Sequence, residues 1–287
     1  MPSTPALLDH FRAIAPDYDL VLCDVWGVIH DSIVPFAEAC DSLARFRAGG
    51  GSVVLVTNAP RTSDVVAEQL DEIGVPRAAY DAIATSGDVT RALLAARAHQ
   101  AVFHLGPERD LSLFRELHLP LATADTADYV VCSGLFDDNV ETPDDYRPLL
   151  GRLLSRSLTM VCANPDLVVA RGSNIVYCAG SIAALYETLG GEVIYAGKPH
   201  RPIYERALSL AAAARGGRPS GRVLAIGDSV RTDLAGAAAF GCDCLLVNTG
   251  IHAGPSGPGT DPADGPLPDL FAKYRVWPRV VMRRLAW

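Results

Sequence analysis

Short apolar runs recur along this chain, separated by longer stretches rich in Ala, Leu, Arg and Glu, and this alternation limits the possible folds more than any other feature. The runs at residues 20–24, 52–57, 101–105, 129–132, 159–163, 192–195, 223–226 and 244–247 are mostly Val, Leu, Ile, Ala and Cys. They are short and apolar at successive positions, the pattern of strands buried on both faces. The stretches at 36–48, 62–73, 86–98, 146–155, 181–189, 202–215 and 232–240 read as helices that cross from one strand to the next. Thr62 or Ser63, Ser181 and Thr232 stand where a helix cap is expected. The predicted class is therefore α/β with a parallel sheet. Gly49-Gly50-Gly51, between a helix and a strand, reads as helix termination through positive φ and not as a phosphate loop. Residues 250–268, rich in Gly, Pro, Asp and Ser, read as a mobile loop that buries little apolar area.

At 287 residues the chain fits one large domain or two moderate ones. Its net charge of −8 disfavours polynucleotide partners, whose binding depends on Lys and Arg neutralising phosphates. A local group of N–H donors, a Lys and a metal can still attract a small anion. The seven cysteines include no Cys-x-x-Cys pair, and several lie in apolar runs, so they read as reduced, buried small hydrophobes. Cys242-Asp243-Cys244 is not a metal site on this reading, because alternate side chains of a strand face opposite ways. The first twenty residues show no apolar segment behind positive charge, and no run of about 20 apolar residues occurs anywhere. The expectation is a cytoplasmic protein with no membrane partner.

Open α/β sheets place ligands beyond the carboxyl ends of their strands, and four such ends carry chemistry. Asp24 closes the first apolar run and is followed by Val25-Trp26-Gly27. Thr57-Asn58 closes the second, offering a hydroxyl and exposed N–H groups to an oxyanion. Lys198 lies in the turn Gly197-Lys198-Pro199, and Asp228 and Asp233 frame Gly227-Asp228-Ser229-Val230-Arg231-Thr232-Asp233. Two closely spaced acids offer the hard oxygen ligands that Mg²⁺ prefers. Arg171, after the Asn164-Pro165-Asp166 turn, suits a carboxylate or phosphate, and a solvated surface role suits it equally. The acidic run Asp137, Asp138, Glu141, Asp144 and Asp145 reads as decoration of a loop and the helix start after it. His99, His104 and His118 show no metal-ligand spacing.

In this order, nucleophile-type Asp, Thr, Lys and acidic loop, the motifs resemble those of the haloacid dehalogenase superfamily. Thr57-Asn58, Ala84-Thr85-Ser86, Ala163-Asn164-Pro165-Asp166, Tyr195-Ala196-Gly197-Lys198-Pro199 and the 227–233 loop narrow the resemblance to its class IIA, NagD-like and 4-nitrophenylphosphatase-like branch. The resemblance implies a Rossmann-like core at 1–82 and 179–287 with an inserted α/β cap domain at 83–178. It implies that Asp24 attacks phosphorus, that Thr57 and the Asn58 backbone hold phosphoryl oxygens, and that Lys198 offsets charge. Mg²⁺ would be held by Asp24, Asp228 and the backbone carbonyl of Trp26, with Asp233 supporting the loop. The implied substrate is a small phosphorylated metabolite, and a homodimer is the implied assembly.

One position departs from that pattern. The superfamily's phosphatases carry a second Asp two residues after the nucleophile, and here Trp26 stands there. An indole N–H donates but does not titrate, so it cannot protonate a leaving group or activate water. Loss of that duty slows such reactions on the order of 10²–10⁴-fold. The expectation is an Mg²⁺-dependent hydrolase with atypical acid–base catalysis, His30 or Asp31 being candidate replacements. The alternatives are a carbon–halogen or other C–X hydrolase and a phosphate-ligand-binding protein without turnover. Retained Asp228 and Asp233 weigh against the C–X reading.

Overall fold

The computed structural model describes residues 5–31, 33–171, 174–217, 221–249 and 267–287. In chain order its strands are β1 (Ala6–Leu7), β2 (Leu20–Cys23), β3 (Ser52–Thr57), β4 (Ala82–Thr85), β5 (Val102–Leu105), β6 (Tyr129–Cys132), β7 (Met160–Cys162), β8 (Val168–Arg171), β9 (Asn174–Tyr177), β10 (Val193–Tyr195), β11 (Val223–Gly227), β12 (Asp243–Val247) and β13 (Val280–Met282). The helices are α1 (Ala37–Ala48), α2 (Ser63–Ile73), α3 (Ser86–Ala95), α4 (Arg147–Ser155), α5 (Ala179–Thr188), α6 (Arg201–Arg215), α7 (Ala235–Phe240) and α8 (Leu267–Tyr274). The α/β class read from the alternation is the class observed. Among the described residues no helix is long and apolar enough to cross a membrane.

The chain divides into two compact units. The first comprises residues 1–57, 67–84 and 198–287. Its sheet runs β1-β13-β12-β11-β2-β3-β4, with parallel pairing from β1 through β3. β2 lies between β11 and β3, and every residue of β2 and β3 is buried. That double-sided burial is why these runs are continuously apolar and do not alternate with polar residues. Each fully buried Val or Leu contributes about 1.5–3 kcal/mol relative to exposure. α1 stops at Gly49, and Gly50 follows at φ +100°, as the triple-glycine reading requires. α6 and α7 likewise end at left-handed Gly216 and Gly241.

The second unit comprises residues 58–66 and 85–197. It holds the parallel sheet β10-β7-β6-β5 and the antiparallel hairpin β8-β9. Its core gathers Leu105, Val130, Tyr146, Leu150, Met160, Ile182 and Tyr186 from strands, from α4 and the turn before it, and from α5. α5 and β10, which the sequence division at 178/179 joined to the second core segment, pack here. The physical reason is that β10 pairs in register with β7, Val193 opposite Met160.

Other local readings shift. Thr232 does not cap a helix: Ser229 Oγ accepts from Thr232 N, a π-helical turn spans Val230–Leu234, and α7 begins only at Ala235. Ser181 lies inside α5, its hydroxyl donating to Cys178 O. α3 is capped by Thr85, which accepts from Asp88 N. Strands β1, β4, β8, β9 and β13 and helix α8 carry too short or too irregular a pattern to be read from sequence. Of the stretch read as a mobile loop, residues 250–266 lie outside the described residues, whereas Leu267 and Pro268 open α8.

Candidate active site

β2 and β11 are neighbours with Cys23 opposite Ile226, so both strands end at one level. Asp24, the first residue beyond β2, donates its backbone N–H to Ile226 O at 2.7 Å, and Asp228 is the first residue beyond β11. Two carboxylates therefore leave adjacent strands at the same edge. Both are buried, at 8 % and 6 % exposure. Gly227 permits the approach of a third acid: a Cβ there would lie 2.1 Å from Asp233 Cγ. The π-helical turn returns Asp233 toward the strand end, where its Oδ2 accepts from Ser229 N at 3.2 Å. One carboxylate oxygen from each of Asp24, Asp228 and Asp233 lies within 4.8 Å of the others.

Lys198, 4 % exposed, inserts its ammonium among them. Nζ donates to Asp24 Oδ1 at 2.6 Å and to Asp233 Oδ1 at 2.7 Å. Burial alone pulls the Lys198 ammonium toward deprotonation, but Asp233 and Asp24 outweigh it and hold the lysine well above its ordinary value. Asp233 moves the opposite way from a simple ion-pair partner, up to about 6. Burial is the main cause and the Asp24 charge adds to it, while Lys198 only partly offsets them. Three carboxylates and one ammonium give these four groups a net formal charge of −2. Carboxylates this close repel by roughly 3 kcal/mol or more per pair at an effective dielectric of about 20. An all-oxygen set with a surplus of two charges fits a divalent cation.

Thr57 ends β3, beside β2, and is buried. Trp26 is half-buried and meets His30 edge-on at 5.7 Å between ring centroids. Their backbones join where Gly27 N donates to His30 O at 2.9 Å, with Gly27 at φ +80°. Burial lowers the His30 pKa below its ordinary value. Asp31 makes a poor replacement acid: its Oδ1 accepts from Ile33 N and Val34 N, both at 2.9 Å, and these bonds hold its pKa down. Cys23, in contact with Asp24 O through its thiol, is pushed far up by burial, which removes it as a nucleophile.

Of the residues singled out from sequence, Asp24, Trp26, Thr57, Lys198, Asp228 and Asp233 fall in the first unit. Asn58 and Arg171 fall in the second. Asn58 Nδ2 donates to Asp166 Oδ1 at 3.0 Å, and Asp166 N donates to Asn164 Oδ1 at 3.1 Å, tying together two of the motifs read from sequence. Arg171 donates to Asp138 from Nη1 and Nη2 at 3.0 and 2.7 Å. Asp138 thus departs from the solvated acidic run: it is buried and takes a further bond from Arg109 Nη2 at 2.6 Å. The rest of the run is local, Asp145 forming a capping box with Thr142 and Asp144 pairing with Arg147. Arg109 went unread in sequence. The signal that marks it is the Gly106-Pro107 turn directly after β5.

Two family models match the chain, one described as haloacid dehalogenase-like hydrolase over residues 21–120 and one as HAD-hydrolase-like over residues 195–270. The chain superposes with TM-score 0.86 on a hydrolase of the haloacid dehalogenase-like family from Brucella suis 1330, at 44% identity, covering 97% of this chain and 100% of that one. It is 25% identical to the 5'-nucleotidase YutF of Bacillus subtilis, over 82% of this chain and 88% of that protein. The glycerol phosphate phosphatase of Mycobacterium tuberculosis, solved in complex with magnesium, is 26% identical with TM-score 0.64, covering 87% of this chain and 74% of that one.

Proposed function

The chain belongs to the haloacid dehalogenase-like hydrolases, and from that premise we propose that it hydrolyses small phosphorylated molecules through an aspartyl-phosphate on Asp24. The observation that carries this reading is the buried group of Asp24, Lys198, Asp228 and Asp233, with its surplus of two negative charges. That donor set suits Mg²⁺, held by Asp24, Asp228 and the backbone carbonyl of Trp26, with Asp233 steadying the loop. Bound there, the ion would supply positive charge to the transferring phosphoryl oxygens. The relatives support the reading: one is named a nucleotidase, and another is a phosphatase whose structure contains magnesium. We assign the second unit as the inserted cap domain.

In the first step Asp24 forms an O–P bond as the ester O–P bond breaks and the leaving group departs. Lys198 orients Asp24, since its ammonium donates to Oδ1 at 2.6 Å. The Thr57 hydroxyl and the Asn58 N–H, consecutive at the end of β3, would donate to phosphoryl oxygens. Water then cleaves the acyl phosphate and restores Asp24. Trp26 gives no proton at the position where relatives of the ordinary pattern carry an acid, so leaving groups that depart as stable anions are favoured. Phosphate release from a panel of aryl, acyl and alkyl phosphates, with Mg²⁺ and with chelator, tests the proposal. Asp24→Asn should reduce any release to background while the far-UV circular dichroism is retained. Activity persisting in that variant would reject the covalent step.

A further inference from the structure

A second charged group lies wholly inside the second unit. Arg109 follows β5, Asp138 lies in the segment following β6, and Arg171 ends β8, so all three follow strands of one small domain. β5 and β6 are parallel neighbours, and the carboxyl ends of such strands are where open α/β sheets take ligands. The Asp138 side chain is only 6% exposed, whereas the Arg109 and Arg171 side chains are 47% and 46% exposed. Nearby, Arg61 approaches the buried Asp110 at 3.9 Å, and Asp110 also feels the charges of Arg109 and Asp138, so that the five groups together carry a formal charge of +1.

The charge count is the informative feature. One bidentate guanidinium neutralises a carboxylate, and Arg171 already holds both oxygens of Asp138. Arg109 adds a second cation to the same carboxylate, leaving a net charge of +1 on the trio in a protein whose overall charge is −8. The two arginines join two separate segments to one buried carboxylate, and only one of them is needed to balance its charge. Arg109 gives one of its N–H donors to Asp138, and no further acceptor meets it among the described residues. Donors held in place by a buried acid, half open to solvent and carrying one surplus positive charge, match a monoanion with two coplanar oxygens.

We propose that Arg109 and Arg171, positioned by Asp138, form a binding site for a small carboxylate, either free or carried by the phosphorylated substrate. The full-length protein would be titrated calorimetrically with benzoate in metal-free, phosphate-free buffer, alongside Arg109→Gln, Arg109→Lys and Arg171→Gln. Expected are binding to the parent, affinity about tenfold weaker or worse in the Gln variants, and an intermediate value for Arg109→Lys, which keeps charge but loses the planar fork. Circular dichroism identifies any variant that fails to fold, and the Lys variant then carries the test. Absence of binding at tens of millimolar, or equal binding by parent and folded variants, would overturn the site and leave the trio a structural clip.

The source of the carboxylate is decided by rates on phenyl phosphate and 4-carboxyphenyl phosphate, an arm that rests on the phosphatase reading. A preference for the carboxylated ester, seen in KM and lost in Arg109→Gln, assigns the carboxylate to the substrate. Equal handling of both esters, with benzoate binding still lost in the variants, assigns the site to a free carboxylate. Release of phosphate from neither ester would reject the phosphatase reading, while the benzoate titration still decides the site.

Discussion

Replacing Lys198 with Met keeps most of the side chain's volume and removes only the ammonium. The two bonds lost, at 2.6 and 2.7 Å to Asp24 and Asp233, are buried, and the cluster of three carboxylates would lose the ammonium set among them. Removing one partner of a buried ion pair costs about 3–5 kcal/mol, because the other charges stay desolvated and unpaired. For a unit of this size that corresponds to a fall in Tm on the order of 10 °C. The effect has a pH signature. The folded-state value for Asp233 is already raised to about 6, against an ordinary carboxylate value near 4, and loss of Lys198 moves it higher. The folded state then binds more protons than the unfolded state above pH 4, so stability falls as pH rises through the folded value. Lys198→Met should therefore be mildly destabilised at pH 5 and strongly at pH 8, and Mg²⁺ should restore much of the loss. All three tryptophans, Trp26, Trp277 and Trp287, lie in the first unit, so urea denaturation followed by their fluorescence reports on the unit that changes. A loss below about 1 kcal/mol, or the same loss at both pH values, would refute the charge-surplus argument.

Asp228→Asn should weaken Mg²⁺ binding at least tenfold by calorimetry, since it removes one negative charge from a set whose surplus is what attracts a dication; unchanged affinity would remove Asp228 from the metal site. The parent protein should hydrolyse an aryl phosphate well ahead of an alkyl phosphate, and Trp26→Asp should narrow that gap. Steady-state rates on both substrates check this, and equal parental rates would show that another acid serves the leaving group. His104, bonded to Ser133 Oγ at 2.9 Å, is held by burial down at about 4, below its ordinary value. The unfolded chain takes up its proton first, so stability should decline as pH falls from about 6.5 to about 4. After discounting for partial exposure of the ring, the loss is roughly 1–2 kcal/mol. His104→Gln should flatten that acid limb in urea titrations followed by circular dichroism, and an unaltered limb would place the pH dependence elsewhere.

What the chain's residues determine locally was open to reading. A buried parallel strand must be apolar at every position, so the runs that became β2, β3, β11 and β12 announced themselves, and with them the ends where Asp24, Thr57 and Asp228 stand. Glycine punctuation marked the end of α1 for the same reason, because positive φ is a property of single residues. Tertiary structure decided the rest. Lys198 meets Asp24 across 174 residues and Asp233 across 35, and no local period encodes such a meeting. Strand order sets β11 against β2 and so brings the Asp233 loop to Asp24, while Lys198 stands just before α6, which packs on β3. Asp138 looked like its exposed neighbours because a string of acids has one local appearance whether it is solvated or paired. Only the turn after β5 and the end of β8, brought to one carboxylate by long-range folding, show that this acid is buried and holds two arginines. The placement of α5 and β10 in the second unit has the same origin: strand pairing, β10 to β7, is a contact between distant segments and leaves no mark on either segment alone.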